Sequence, residues 1–321
     1  NCPGITKWLW NILARVWDEG DILKTWCVAD GIFTPKELDS TSVNQFRPIS
    51  LLNVEGKVFF SVLARRLTNF LQANGYVDSS IQKAGIPGFP GCLEHVSCIW
   101  AKIIGAKKDK GNLHVVWLDL ANAYGSVPHG MLYFALEFFH VPGKLRSCLV
   151  AYFDKFRFRF SASDYTTRLV RLEKGIAMGC SISPILFVLV MEVILRGTGC
   201  ARDLKAFMDD ITILEDDLER AREVLERLQE LVAWAGMEFK PKKCRSLSLV
   251  KGKVTRDAFR MSKERIPNIR EEGVKSLGRW YSFPVSDRHR GVELQTKVEE
   301  YLQVINDCRL PGKFKAWIAI M

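Results

Sequence analysis

No CxxC pair and no regular zinc spacing occurs anywhere in these 321 residues, although nine cysteines are scattered along them. An odd, irregular set argues against a disulfide framework or a zinc finger and reads as reduced, intracellular thiols. Long hydrophobic runs are missing too. The longest, Pro184 to Met191, is followed directly by Glu192, so it is too short to cross a bilayer and is expected to be a buried helix. No signal peptide or lipidation motif is visible in these residues, and they do not open on an initiator methionine. The chain starts at Asn1-Cys2-Pro3 and stops inside the apolar pattern Ala316-Trp317-Ile318-Ala319-Ile320-Met321, as expected of a piece of a longer polyprotein.

What is abundant is positive charge. Lysine and arginine total 46 against 36 acidic residues, a formal net charge of +10. A polyanionic partner follows, since basic side chains gain affinity by releasing counterions from a phosphate backbone. The length suffices for two or three subdomains around a sizeable core.

Against this basic background one acidic turn stands out. Lys205-Ala206-Phe207-Met208-Asp209-Asp210-Ile211-Thr212-Ile213-Leu214 is two short apolar runs with adjacent aspartates between them, the pattern of a tight hairpin. Side-chain alternation lets Phe207, Ile211 and Ile213 face a core while the carboxylates gather at the loop end. A second β-prone run, Leu113 to Leu120, carries Asp119 near its end. Three carboxylates on neighbouring strand ends suit magnesium, which takes oxygen ligands and keeps waters or substrate phosphates in its other positions. Two such ions about 4 Å apart can serve a phosphoryl transfer.

The stretches LDLANAYGSVPH, GIAMGCSISPILF and FMDDITIL, in that order, resemble the palm motifs of a reverse transcriptase, and among these the non-LTR (LINE-type) retrotransposons. Upstream, IFTPK, NQFRPISLLNVEGKVFFSVLARRL and QKAGIPGFPG are similar to that family's fingers segments; downstream, AGMEFKPKKC and SLGRWY look like its late palm and primer-contacting motifs. The resemblance implies an α+β right-hand polymerase fold. Residues 1–112 would be fingers with an N-terminal extension, 113–260 a palm of antiparallel sheet with some fingers elements, and 261–321 a primer-contacting hairpin with a truncated thumb.

The implied activity is RNA-directed DNA synthesis, with an RNA template, a DNA primer, dNTPs and two Mg2+ ions, for which Mn2+ would substitute. Asp119, Asp209 and Asp210 become the catalytic and metal residues. Arg47, Leu120, Tyr124 and Lys243 fall at nucleotide-binding positions, Tyr124 as the ring that blocks a 2′-hydroxyl and Lys243 beside departing pyrophosphate. Gly179, Ser183, Pro184, Met208 and Gly278 fall at template and primer positions. Plainer readings stand beside these: Arg47 as a helix cap, Tyr124 as a core tyrosine, Lys243 as a basic strand end. The family also implies an endonuclease on the same polyprotein and an intracellular setting, nucleus and cytoplasm of a eukaryotic host, without a membrane. Gly125, where many relatives have aspartate, and Met178, where many have glutamine, depart from the pattern, as does Met208. A decayed or co-opted nucleic-acid-binding domain is the alternative; a two-metal nuclease ranks last.

Along the chain, Trp8, Leu9, Ile12, Leu13 and Val16 predict a helix packed on the core, and Gly31 to Lys36 a short strand. Lys57 to Leu71 and Met131 to Phe139 predict helices, and Gly85 to Gly91 a loop; many relatives carry an arginine in this segment that the chain lacks, and the nearby Lys83 is the candidate substitute. Phe153 to Phe160 reads as a strand alternating aromatic and basic residues, and Ser183 as the N-cap of a helix from Ile185 to Leu195. Leu218 to Ala235 is an amphipathic helix ended by Gly236, with Lys240, Lys242 and Lys243 on the strand after it. His129 is expected to be structural, in a strand-to-helix connection. Helices are expected from Val292 onward, with a turn at Leu310 to Lys313.

Overall fold

The computed structural model describes residues 2–36, 38–42, 45–86, 92–162, 165–200, 204–286 and 288–320. Residues 87–91 of the expected glycine-proline loop lie outside them, as do 37, 43 and 44 of the polar loop before Arg47. Helix α1 (Pro3–Glu19) and a 3-10 turn (Lys24–Cys27) lead to strands β1 (Val28–Pro35) and β2 (Phe46–Leu52), then helices α2 (Val54–Ala73) and α3 (Leu93–Lys108). Strand β3 (Leu113–Leu118) is followed by α4 (Ala123–Ser126), α5 (His129–Phe138), α6 (Gly143–Lys155), β4 (Arg157–Ala162), β5 (Tyr165–Thr166) and β6 (Val170–Arg171). Next come α7 (Ser183–Gly197), the hairpin β7 (Leu204–Phe207) and β8 (Asp210–Glu215), α8 (Leu218–Trp234), β9 (Arg245–Val250) and β10 (Lys253–Thr255). Hairpins β11 (Phe259–Met261) with β12 (Glu264–Ile266) and β13 (Val274–Ser276) with β14 (Arg279–Tyr281) precede α9 (Arg288–Asp307) and α10 (Gly312–Ile320).

The fold is mixed α and β, built on two sheets. One runs β10-β9-β3-β8-β7 and is antiparallel throughout. The other runs β2-β1-β4-β5 with β6 also on β4, and contains one parallel pair, β1 with β4. In the first sheet β3 is buried along its whole length because both faces are covered. Val116 and Leu118 point into the larger core with Ile211 and Ile213 of β8, while Val115 and Trp117 point into a smaller one with Leu214 of β8 and Ile99 and Ile103 of α3. A period of two residues thus sorts one strand between two cores. On β7 it is Leu204 and Ala206 that are buried, and Phe207, expected in the core, is only half-buried.

The apolar run after Pro184 is the buried helix expected: α7 is buried from Ile185 through Leu195. Burying each of its leucines contributes about 1.5–3 kcal/mol. Glu192 shares this burial, and its carboxylate accepts from Arg196 Nε at 2.9 Å and from the backbone N–H of Asp78 at 3.1 Å. Helix α8 is capped by Asp217, whose side chain accepts from the Arg220 N–H, and Gly236 lies just beyond its end with φ of 73°.

Four further expectations change. Ser183 is not a cap but the first residue of α7, buried, its hydroxyl donating to the Ala177 carbonyl at 2.8 Å. Phe153 belongs to α6, and the strand begins only at Arg157, since Leu145, Cys148, Leu149, Tyr152 and Phe153 bury at helical spacing on one side. Lys240, Lys242 and Lys243 lie before β9, on a turn in which the N–H groups of Lys243 and Cys244 donate back to the Lys240 carbonyl at 2.8 and 3.1 Å. On α1 the buried side is Val16, with Ile12 and Leu13 against the core, while Trp8 is 61% exposed. Among the described residues no helix is long and apolar enough to cross a membrane.

Candidate functional site

The β3–β8 ladder ends at Leu118 opposite Ile211, so one step further Asp119 stands opposite Asp210. Phe207 pairs with Asp210, leaving Met208 and Asp209 as a two-residue turn with φ of 57° at Met208. A positive φ at the first turn residue matches the twist of a tight hairpin, though side chains seldom adopt it. Both strands are pinned by non-local pairing, so the three aspartates come together at one sheet end.

Asp119 is held by its own backbone. Its carbonyl accepts from the Lys240 N–H at 2.9 Å, and its N–H donates to Cys244 Sγ at 3.4 Å. Leu120 bridges Phe239 beside this clamp and is buried. The clamp is stiffened by Arg245, whose guanidinium donates to the carbonyls of Lys242 and Cys244 at 2.6 and 2.8 Å and pairs with Glu272 at 2.5 Å. Cys244 is a neutral thiol, pushed up to about 11 chiefly by burial.

Burial raises the Asp119 carboxyl, opposed by Lys243, Lys240 and Lys36 and reinforced by Asp209. Asp209 is raised by burial too, and opposed by its own backbone and by Arg47. Asp210 opens β8 at the surface, and desolvation of its carboxyl, with Asp209 and Asp119 nearby, raises it to about 6. None of the three takes part in an ion pair among the described residues. Nor do any three His, Cys, Asp or Glu side chains there close into a metal cage. The aspartates form an open oxygen set, a donor chemistry that suits a hard cation completing its shell with water or phosphate oxygens.

Cations surround this acidic end. Lys36, at the end of β1, has its ammonium pKa lowered by partial burial and then by Lys240, Lys243 and Arg47, which shows how closely the four positive charges gather. Arg47 lies on exposed β2 backbone opposite Thr34, so the plainer reading of it as a helix cap does not hold. Lys36 and Lys240 read in the sequence only as strand residues, not as members of this site; a lysine directly after the strand-ending Pro35 was the available signal for the first.

Tyr124 forms the apolar wall. Its ring stacks on Phe187 with centroids 4.8 Å apart and planes 8° apart, and its hydroxyl donates to the Met208 sulfur at 3.8 Å. Burial, then Asp209, holds the phenol up at about 12, so it stays neutral. The loop before α7 forms the floor: the Ser50 N–H donates to the Met178 carbonyl at 2.7 Å, and Gly179 has φ of 109° with room for no Cβ, which would sit 2.4 Å from the Ser50 carbonyl. Pro184 opens α7 beside it. Gly125, where a Cβ would meet the Asn122 amide at 2.3 Å, borders a cavity of about 110 Å³ beneath Met178.

Gly278 is not part of this gathering. It turns the β13–β14 hairpin with φ of 82°, and the preceding Leu277 carbonyl accepts from Cys92 Sγ at 3.4 Å. Lys83 is ion-paired to Glu94, and His129 bonds the Gly175 carbonyl at 2.9 Å as a connection between segments.

The fold is shared with telomerase from Candida tropicalis. A truncated apo structure of that enzyme superposes with a TM-score of 0.52 over 77% of this chain and 60% of that one at 12% identity. A structure in complex with a telomeric RNA fragment gives 0.55 over 91% and 52% at 11% identity. The class is therefore a polymerase-like α and β fold with an acidic strand end. More particularly, the family model "Reverse transcriptase (RNA-dependent DNA polymerase)" matches residues 35–281, and the chain belongs to that family. Its similarity is to the Pol polyproteins of non-LTR R2 elements: 26% identity with that of Nasonia vitripennis over 77% of this chain, and 21% with that of Drosophila melanogaster over 78%. The matches span about a quarter of those relatives' length, 25% in both.

Proposed function

We propose that this chain is an RNA-directed DNA polymerase that extends a DNA primer on an RNA template with dNTPs. The observation that carries this reading is that Asp119 and Asp210 lie one step beyond the last residues paired between β3 and β8 at one sheet end, with Asp209 on the adjoining turn and Lys36, Arg47, Lys240 and Lys243 near enough to act on one another's charge or on Asp119. Asp119 and Asp209 are the residues to hold two Mg2+ ions, or Mn2+ in their place, with Asp210 as a neighbouring carboxylate. When bound, the ions activate the primer 3′-hydroxyl and neutralise the leaving pyrophosphate.

The chain's own groups supply the rest. Arg47 and Lys243, joined by Lys36 and Lys240, bind triphosphate oxygens, Arg47 through its planar guanidinium fork. Tyr124, fixed by Phe187, stands where a 2′-hydroxyl would enter, and the Leu120 backbone shapes the same pocket. Gly179, Ser183 and Pro184 form a floor close to template, Met208 lies near the primer end, and Gly278 turns a primer-contacting hairpin. In this reading residues 1–112 are fingers, 113–260 palm with some fingers elements, and 261–321 the hairpin and part of a thumb. The wider setting is a longer polyprotein with an endonuclease, in the nucleus and cytoplasm of a eukaryotic host.

Incorporation of labelled dNTPs on a primed RNA with magnesium tests the reading. Incorporation that vanishes in Asp209→Asn supports it, and equal incorporation by that variant overturns it.

A further inference from the structure

Gln82 is fully buried, and its side chain makes three hydrogen bonds to backbone. Its Oε1 accepts from the N–H groups of Met208 and Ala84, both at 3.1 Å, and its Nε2 donates to the Met208 carbonyl at 3.4 Å. A carboxamide is the side chain able to pair with both polar groups of one residue, as a neighbouring strand would. The residue so gripped is the one with φ of 57° at the head of the aspartate turn, 126 positions away in sequence.

The grip is itself anchored. Gln82 bridges Ala206 of β7 in parallel, and the Ala206 N–H donates to the Ile81 carbonyl at 2.8 Å. His95 of α3, buried, bonds the Ala206 carbonyl at 3.0 Å, and Lys205 Nζ donates to the Ser80 carbonyl at 2.8 Å. At the other end the Gln82 N–H donates to the Asp78 carbonyl at 2.9 Å, and Asp78 hangs from the buried Glu192. The segment from Asp78 to Ala84 is thus an outer rail along β7, and Gln82 is the side chain through which it hydrogen-bonds Met208.

We infer that Gln82 is a positioning residue, one that fixes the Met208–Asp209 turn and through it the direction in which Asp209 presents its carboxylate. The inference rests on the polymerase reading of that turn for its functional meaning. Its structural content stands apart from that reading.

The test compares the full chain with Gln82→Met, which keeps the length and removes all three bonds, and Gln82→Glu. In hydrogen exchange without divalent ions, the peptide from Lys205 to Leu214 should exchange roughly tenfold faster in Gln82→Met, with other strands unchanged. Mn2+ affinity, read by electron paramagnetic resonance, should fall roughly tenfold. A glutamic acid at this buried position is protonated at pH 6, where its O–H replaces the lost donor, and ionised at higher pH, where it repels the Met208 carbonyl. Hairpin protection in Gln82→Glu, corrected for intrinsic exchange, should therefore be near wild type at pH 6 and lost at pH 9. Unchanged hairpin exchange in a folded Gln82→Met overturns the inference; should that variant not fold, flat pH behaviour in Gln82→Glu overturns it instead. A wild type that binds no Mn2+ and extends no primer retires the polymerase reading, and hairpin exchange still decides Gln82.

Discussion

The ring of Tyr124 lies flat on that of Phe187, 4.8 Å between centroids and 8° between planes. An offset ring pair of this kind is worth about 0.5–1.5 kcal/mol beyond area and leaves the phenol little freedom to swing. If the ring excludes a 2′-hydroxyl, Tyr124→Ala should lower the preference for dNTP over rNTP by roughly tenfold or more, and Tyr124→Phe should keep it. Single-nucleotide incorporation kinetics with both substrates give the ratio. An unchanged ratio in Tyr124→Ala contradicts the gate.

The Asp119 N–H has Cys244 Sγ as its acceptor. Cys244→Ala strands that part-buried donor and should destabilise the fold by about 1 kcal/mol, while Cys244→Ser keeps an acceptor and should lose less. Urea unfolding of the pair measures the difference, and equal loss in both would mean that the sulfur serves packing alone.

Asp210 carries a pH signature. Its carboxyl is raised to about 6 from the ordinary 3.8, so the folded chain holds that proton more tightly than the unfolded one. Stability without divalent ions is then greatest below 3.8 with respect to this group and declines as pH rises through 6. Asp119 and Asp209 are raised as well, so the three titrate as a coupled set. Asp210→Asn should melt higher than wild type at pH 8 in EDTA, and the gap should close by pH 4. A gap independent of pH contradicts the assignment.

Gly179 combines φ of 109° with a Cβ position 2.4 Å from the Ser50 carbonyl. Gly179→Ala should cost roughly 1–3 kcal/mol and push the loop off β2. Weaker template affinity in a folded variant, measured at two salt concentrations, is the expected companion; wild-type stability would mean the loop is free to yield.

Much of this site was legible because its chemistry sits at strand ends. The β-prone run before Asp119 and the alternation around Asp209 and Asp210 put all three carboxylates at strand ends, and the amphipathic pattern placed α8. The errors arose where local pattern and tertiary contact disagree. Ser183 looks like a cap, yet its hydroxyl goes back to Ala177 inside a buried turn. The lysines after Phe239 read as a strand because hydrophobic residues flank them, but Pro241 and the bond from Lys240 to Asp119 make a turn. Gln82 and Cys244 were invisible, since each acts on a residue 126 or 125 positions away and no periodicity reports such a partner.

The most direct measurement is primer extension on RNA with magnesium by the wild type beside Asp209→Asn, with template binding followed in both over a salt series. Extension by the wild type alone is expected, with equal, salt-weakened template binding by the two proteins. Tight binding without extension by either, or equal extension by both, would contradict it.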